Sequence, residues 1–278
     1  MTATATRSSL HQLSPSKLSA FITCPTMFKA RYILGIKSPP SASMVLGRAV
    51  HSGLELLGRR RQMDLPVGVD ELVTEFNETL KADIEGEGLE IKPDELAKLR
   101  EAGEQLIRLY LGRYGHEKPV SSELHLDEPL IHPSTGEVYQ RPRLPGIEPG
   151  ELSMYGIVDS VLEEPDGLVV VDYKVTARTS ADSSVMLTHR MQLLCYAWLM
   201  SRASDRPVKA LEIRQLVRKK QPDISVTRVP VPANISYKSM FNAIEALLAS
   251  VNGDTFLARY GFTCHATCEG YGLCSALC

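Results

Sequence analysis

Two carboxylates and an amine set the chemistry this chain can do. Asp159 closes the segment Gly156-Ile157-Val158-Asp159, and Asp172-Tyr173-Lys174 follows a little further on. Between them, Glu164-Pro165-Asp166-Gly167 has the residue types of a turn. Leu168-Val169-Val170-Val171 is then a continuous apolar run, the pattern of a strand buried on both faces. Asp172 and Lys174 stand two apart at its end, so their side chains leave the sheet on the same face. A carboxylate and an ammonium ending so apolar a strand are costly to bury unless they meet each other or a cation. Two adjacent strands could point Asp159 and Asp172 at one metal ion with Lys174 beside it. A solvated strand end with an ordinary ion pair would leave the same three residues.

A second cluster lies at the C-terminus. Four of the six cysteines, Cys264, Cys268, Cys274 and Cys278, fall within the last fifteen residues. Thiolates so spaced converge on a soft metal or an iron–sulfur cluster. Tetrahedral zinc, bound by the four or by three with His265, suits the spacing as well, and composition does not separate the metals. Unliganded thiols in a tail are the remaining reading.

The bulk properties exclude several classes. At 278 residues there is room for one large domain or two small ones, and 44% hydrophobic with 23% charged residues is ordinary for a globular protein with a core. No apolar run approaches the roughly 20 residues of a membrane span. Met1 to His11 lacks the apolar stretch of a secretory signal, so a cytoplasmic location with reduced thiols and no membrane partner is expected. The net charge of −2 gives no global sign of nucleic-acid binding, which would need a local basic face.

The elements that must position these groups are legible in outline. Ser14-Pro15-Ser16 opens a helix that Cys24-Pro25 interrupts and Phe28, Tyr32 and Ile33 resume. Val45, Leu46, Val50, Leu54 and Leu57 form a helical stripe carrying His51 and Glu55 one turn apart. Helices are expected over 70–83 and 94–114, a β region from Ser122 to Lys174, and a helix from about Asp182 to Ala203. Strands over Ala210–Val217 and Ile224–Val229 and a helix near Tyr237–Ser250 follow. Strands in sequence, a helix, then more strands read as a single α/β unit, a central mixed sheet flanked by helices, with an N-terminal helical part.

Taken in order, six blocks resemble one known family. They are Leu13 to Pro25 with its Cys24-Pro25, Gly47-Arg48-Ala49-Val50-His51, Gly156 to Asp159, Asp172-Tyr173-Lys174, Gln192-Leu193-Leu194-Cys195-Tyr196, and the terminal cysteines. The order is similar to that of the RecB-like branch of the PD-(D/E)XK nucleases. It most resembles the iron–sulfur exonucleases, which include the CRISPR-associated RecB-like exonucleases, the AddB nuclease domain and phage relatives. Residues 58–120 match nothing specific.

The resemblance implies a Mg²⁺- or Mn²⁺-dependent deoxyribonuclease, most simply a single-strand DNA exonuclease in recombination, repair, phage DNA processing or CRISPR adaptation. It implies a disordered lead-in over 1–12 and one nuclease domain over 13–278. Within that domain, 13–120 is mainly helical, 121–235 is the catalytic α/β core, and 236–278 is a helix and the cluster-binding C-terminus. His51, Asp159, Asp172 and the backbone carbonyl of Tyr173 are then the metal ligands. Asp159, Asp172, Lys174, Gln192 and Tyr196 form the catalytic set. Cys24 joins Cys264, Cys268 and Cys274 around a [4Fe–4S] cluster, with Cys278 as the alternative to Cys264 and zinc as the alternative metal. A cluster there would staple the chain ends together.

Other residues stay open. Glu55 is either a partner of His51 or a solvated helix residue, and Glu123 could reach the site. Lys29, Arg31, Lys37, Arg59-Arg60-Arg61, Arg214 and Arg218-Lys219-Lys220 could form a phosphate track, with Phe28 and Tyr32 for base stacking. A homo-oligomer or a place in a recombination or adaptation complex is compatible with the family. The competing function is a catalytically silent DNA-binding adaptor with an architectural cluster.

Overall fold

The valine run behaves as two-sided burial requires. The computed structural model describes residues 10–36, 38–259, 264 and 268–275. In it the run lies in β4 (Gly167–Thr176), where Leu168 and Val170 enter one hydrophobic core and Val169, Val171 and Tyr173 the other. Two cores on one strand demand helices on both sides of the sheet.

Among the described residues the sheet has six strands. β4 is antiparallel to β3 (Ser153–Glu164) across the short turn and parallel to β5 (Val208–Val217), which is antiparallel to β6 (Asp223–Pro230). β2 (Ser121–Pro129) is antiparallel to β3, and the two-residue β1 (Gln12–Leu13) runs parallel to it. The parallel β4–β5 pair needs a crossover, which α6 (Asp182–Ala203) supplies. With α1 (Pro15–Thr23) and α7 (Lys238–Asn252), α6 covers one face. The other face is covered by α3 (Ala42–Gln62), α4 (Val69–Gly86) and α5 (Pro93–Tyr114). This is the expected α/β architecture with a mixed sheet.

The N-terminal part follows its sequence signals with one correction. Ser14 caps α1, its hydroxyl accepting from the Lys17 N–H at 3.3 Å, and Pro15 takes the first helical position. Cys24-Pro25 ends α1 and starts the single turn α2 (Pro25–Phe28), which continues into a turn of π-helix over Lys29–Ile33. The expected lead-in over 1–12 is too long, because Leu10 is fully buried and Gln12 pairs with Ser153. Among the described residues, no helix is long and apolar enough to cross a membrane.

Candidate active site

One edge of β3 is divided between two partners. Its N-terminal end pairs with β1 at Ser153 and Met154, and its C-terminal end pairs with β4 from Ser160 to Glu164. The last β3–β4 rung joins Ser160 to Val171, so Asp159 and Asp172 occupy the next position, where the strands have parted. At such a fork neither aspartate is bound by a backbone rung between β3 and β4. Along the notch between β1 and β4 lies a cavity of about 380 Å³, bounded by Gln12 to Lys17, Tyr155 to Ile157, Gln192 and Tyr196.

Hydrogen bonds hold both aspartates. The Tyr173 N–H donates to Asp159 Oδ2 at 2.7 Å, so the Asp159 side chain takes the place of a ladder partner. In an extended strand a residue's N–H and C=O point to the same edge, which turns the Tyr173 carbonyl towards the fork as well. His51 reaches the fork from α3, with Nδ1 3.6 Å from Asp159 Oδ1 and its ring edge-on to Tyr173 at 5.9 Å. On the opposite face, the Gln192 amide donates to Asp172 Oδ1 at 2.8 Å and to the Tyr196 hydroxyl at 3.0 Å. Lys174 Nζ lies 2.6 Å from Asp172 Oδ2.

Gly156 explains how α6 comes so close. A Cβ there would stand 2.6 Å from Leu199 Cδ1 and 3.5 Å from the Tyr196 ring, so a bare glycine lets the helix carrying Gln192 and Tyr196 press onto β3. All residues singled out for the catalytic centre, His51, Asp159, Asp172, Tyr173, Lys174, Gln192 and Tyr196, therefore surround one fork.

A family model described as the PD-(D/E)XK nuclease superfamily matches residues 12–275. The chain belongs to the PD-(D/E)XK nuclease superfamily. The crystal structure of a Eubacterium rectale protein, provisionally named an exonuclease, aligns over 93% of this chain and 87% of its own at 12% identity and a TM-score of 0.54. That likeness is one of fold. The structure of SSO0001 aligns over 91% of this chain and 94% of its own at 14% identity, but its TM-score of 0.37 carries no argument. No curated protein matches the chain in sequence.

The fork has donors that fit the divalent metals used by PD-(D/E)XK nucleases. Asp172 is 2% exposed, and its Oδ2 has no aligned hydrogen-bond partner among the described residues although the Lys174 charge is close. Carboxylate oxygens and a carbonyl suit Mg²⁺ or Mn²⁺, and an imidazole favours Mn²⁺. As placed, no three His, Cys, Asp or Glu side chains among the described residues converge on one point. Lys174 holds Asp172 where a cation would compete for it. Burial pushes Asp172 up to about 6 against the pull of Lys174. Partial burial lowers His51, but the Asp159 charge outweighs it and leaves His51 above its ordinary value. Burial likewise raises Asp159, and the His51 charge outweighs that and leaves it below.

A pH dependence follows for this nuclease fold. Raised values keep protons on Asp172 and His51 at pH where free side chains would have lost them, so a metal held by these two groups would have to displace those protons. Mn²⁺ affinity is expected to rise with pH up to the raised Asp172 value of about 6, and further above the ordinary histidine value where His51 also gives up its proton, roughly tenfold per unit for each proton displaced. Titration calorimetry in two buffers of different ionisation enthalpy measures the protons directly. A pH-independent affinity would remove both residues from the ligand set.

Two glutamates that sequence reading left open also line the fork. Glu55, Glu123, His51, Asp159 and Tyr173 enclose a small cavity of about 50 Å³. Glu123 has φ +50°, and the β2–β3 ladder skips it between Ser122–Ser160 and Leu124–Val158, opposite Asp159. That left-handed residue is out of place in a strand and bends its own side chain's exit. Burial and a hydrogen bond with Glu123 push Glu55 up to about 7. Nothing local in the sequence marks the skipped rung.

Other expectations need correction. Arg214 is 3% exposed and ion-paired to Glu117 and Glu212, so it cannot join a phosphate track. Phe28 is fully buried between Phe21 and Tyr32, at ring distances of 5.6 and 5.2 Å, and cannot stack on a base. Lys29 pairs with Asp254 and Arg31 with Glu269, while Lys37 lies outside the described residues. The expected cluster cysteines are not gathered together: Cys24 is buried between α1 and α2, Cys264 is exposed, and Cys268 and Cys274 are partly exposed. Cys278 and His265 lie outside the described residues.

Proposed function

We propose that the chain is a metal-dependent deoxyribonuclease acting on single-stranded DNA ends. The observation that carries this reading is the fork itself, where Asp159 and Asp172 meet at the first open rung with His51 on one side and Lys174 on the other. His51, Asp159, Asp172 and the Tyr173 carbonyl would hold Mg²⁺ or Mn²⁺. When bound, such an ion polarises a phosphate oxygen and makes water a better nucleophile. Lys174 would then turn from Asp172 to the phosphate, orienting the attacking water and stabilising the charge that develops on phosphorus. Gln192 fixes the Asp172 carboxylate through Oδ1, leaving Oδ2 for the cation. Tyr196 accepts from the same amide, and its ring closes the notch in which a DNA strand would lie.

The terminal cysteines are proposed as an iron–sulfur staple with Cys24, Cys264, Cys268 and Cys274 as ligands. Support comes from the packing of the tail on the start of α2. Gly270 lies against the backbone of Thr26 and Met27, where a Cβ would come to 3.3 Å of Met27 Cα. Glu269 binds Arg31 at 2.6 Å and accepts from the Ser38 N–H at 3.3 Å. Glu269 and Gly270 thus lie against residues that follow Cys24 in the chain. A brown protein absorbing in the visible indicates iron, because d¹⁰ zinc gives a colourless one.

The deciding experiment is degradation of end-labelled single-stranded DNA with Mn²⁺, with Mg²⁺ and with EDTA. Loss of label with metal and its retention in EDTA is the expected result, and the position of the label gives polarity. A protein that leaves the DNA intact yet retards it in a gel would replace this reading with the silent adaptor.

A further inference from the structure

Tyr173 meets the fork at several points, and its side chain leads away into the core under α3, α4 and α5. Its N–H holds Asp159, its ring packs against His51, and its hydroxyl bonds Ser160, the residue next to Asp159. The same hydroxyl accepts from Tyr110 on α5 at 3.0 Å, with the two rings edge-to-face at 5.3 Å. Tyr110 in turn accepts from Arg214 Nη1 at 2.8 Å. Arg214 stands beside Tyr173 in the parallel β4–β5 register. It is immobilised by both Glu117 oxygens at 2.6 and 2.9 Å, by Glu212 at 3.1 Å, and by the Tyr114 ring at 4.2 Å.

We infer that Arg214 and Tyr110 are positioning residues that fix the metal-ligand geometry of the fork from the face covered by α3, α4 and α5, through Tyr173. The inference rests on the metal-site reading above. Beyond the Ser160–Val171 rung β4 stays paired with β5, but no rung joins it to β3, so the ladder does not fix where Asp159 and Asp172 sit relative to one another. The guanidinium–tyrosine–tyrosine chain replaces that lost constraint by anchoring the residue between Asp172 and Lys174. A planar, five-donor arginine gripped on several sides is stiffer than any single contact at an open strand end. Hydrogen bonds that orient metal ligands matter to affinity by about 10–100-fold when removed.

The test uses Tyr110→Phe and Tyr173→Phe, which keep both rings and remove one hydroxyl each. Mn²⁺ binding to the DNA-free protein is followed by electron paramagnetic resonance, alongside thermal unfolding and the split between kcat and KM. Each variant is expected to bind Mn²⁺ about tenfold more weakly, with kcat lowered and KM for DNA unchanged. Leu247→Ala, which opens the core under α7 on the other side of the sheet, serves as the control for destabilisation alone. Unchanged Mn²⁺ affinity in both phenylalanine variants, or an equal loss in Leu247→Ala, would overturn the inference and leave a purely structural network. A wild-type protein that binds no Mn²⁺ is a separate outcome, which overturns the metal-site reading and this inference with it.

Discussion

Asp172→Asn is expected to abolish DNA hydrolysis while making the metal-free protein more stable at neutral pH. The substitution keeps the shape of the side chain and removes the charge a divalent cation needs. Losing metal-derived charge stabilisation worth several kcal/mol lowers the rate by on the order of 10³-fold or more. The stability effect has the opposite sign. Burial raises Asp172 from 3.8 to about 6, so the folded state resists ionising it. Stability is therefore highest below the ordinary carboxylate range and falls as pH rises towards about 6, after which the cost of the buried charge is fully present. Removing that charge should return about 1–3 kcal/mol at pH 7.5, and the gain should vanish near pH 4. Single-turnover cleavage and thermal unfolding in EDTA across pH measure the two effects. A variant that keeps its activity would sink the assignment of Asp172, and a gain that ignores pH would sink the electrostatic account.

Arg214→Met carries the largest expected loss of stability. The guanidinium is buried among Glu117, Glu212, Tyr110 and Tyr114, and although burial works against its charge, the bonds to Glu117 keep it firmly protonated. Methionine fills much of the same volume but leaves the Glu117 carboxylate without its partner, while Glu212 retains Arg228 at 2.8 Å. Breaking one side of a buried ion pair costs about 3–5 kcal/mol. For a chain of this length, that lowers the Tm by roughly 10 °C. Adding Glu117→Gln should recover part of the loss, because the second change removes the stranded charge. If Arg214→Met alone unfolds no earlier than the wild type, the network contributes no stability, and Arg214 acts on geometry alone.

The sequence is informative where the physics is local. Valine-rich burial, the turn at 165–166 and the alternation of side chains set β4 and the common face of Asp172 and Lys174. Ser14, Pro15 and Cys24-Pro25 punctuate the first helices as expected, and the helix over Asp182–Ala203 has the bounds read from its pattern. Helical spacing alone put His51 with Glu55 and Gln192 with Tyr196.

What failed in the sequence reading shares a cause. Arg214 looks like its basic neighbours Arg218 and Lys219 in sequence, yet it is walled in by Tyr110, Tyr114 and Glu117 from the end of α5 and just beyond. Phe28 looks as available as Tyr32 until Phe21 and the core close over it. Glu123, which the sequence left open as able to reach the site, lines the fork at the point where the ladder with β3 skips it. Each outcome depends on residues brought together from distant parts of the chain, and no local pattern encodes such a partner.

By itself, then, the sequence determined which residues have the chemistry for a divalent cation and phosphate and which short elements carry them, because backbone sterics and hydrophobic periodicity act between near neighbours. Only the tertiary structure decided that β3 shares one edge between β1 and β4. That division opens the rung of Asp159 and Asp172, brings His51 and Gln192 to it from opposite faces, and ties Tyr173 to a buried arginine behind it, because strand register and burial are settled by contacts across the whole fold.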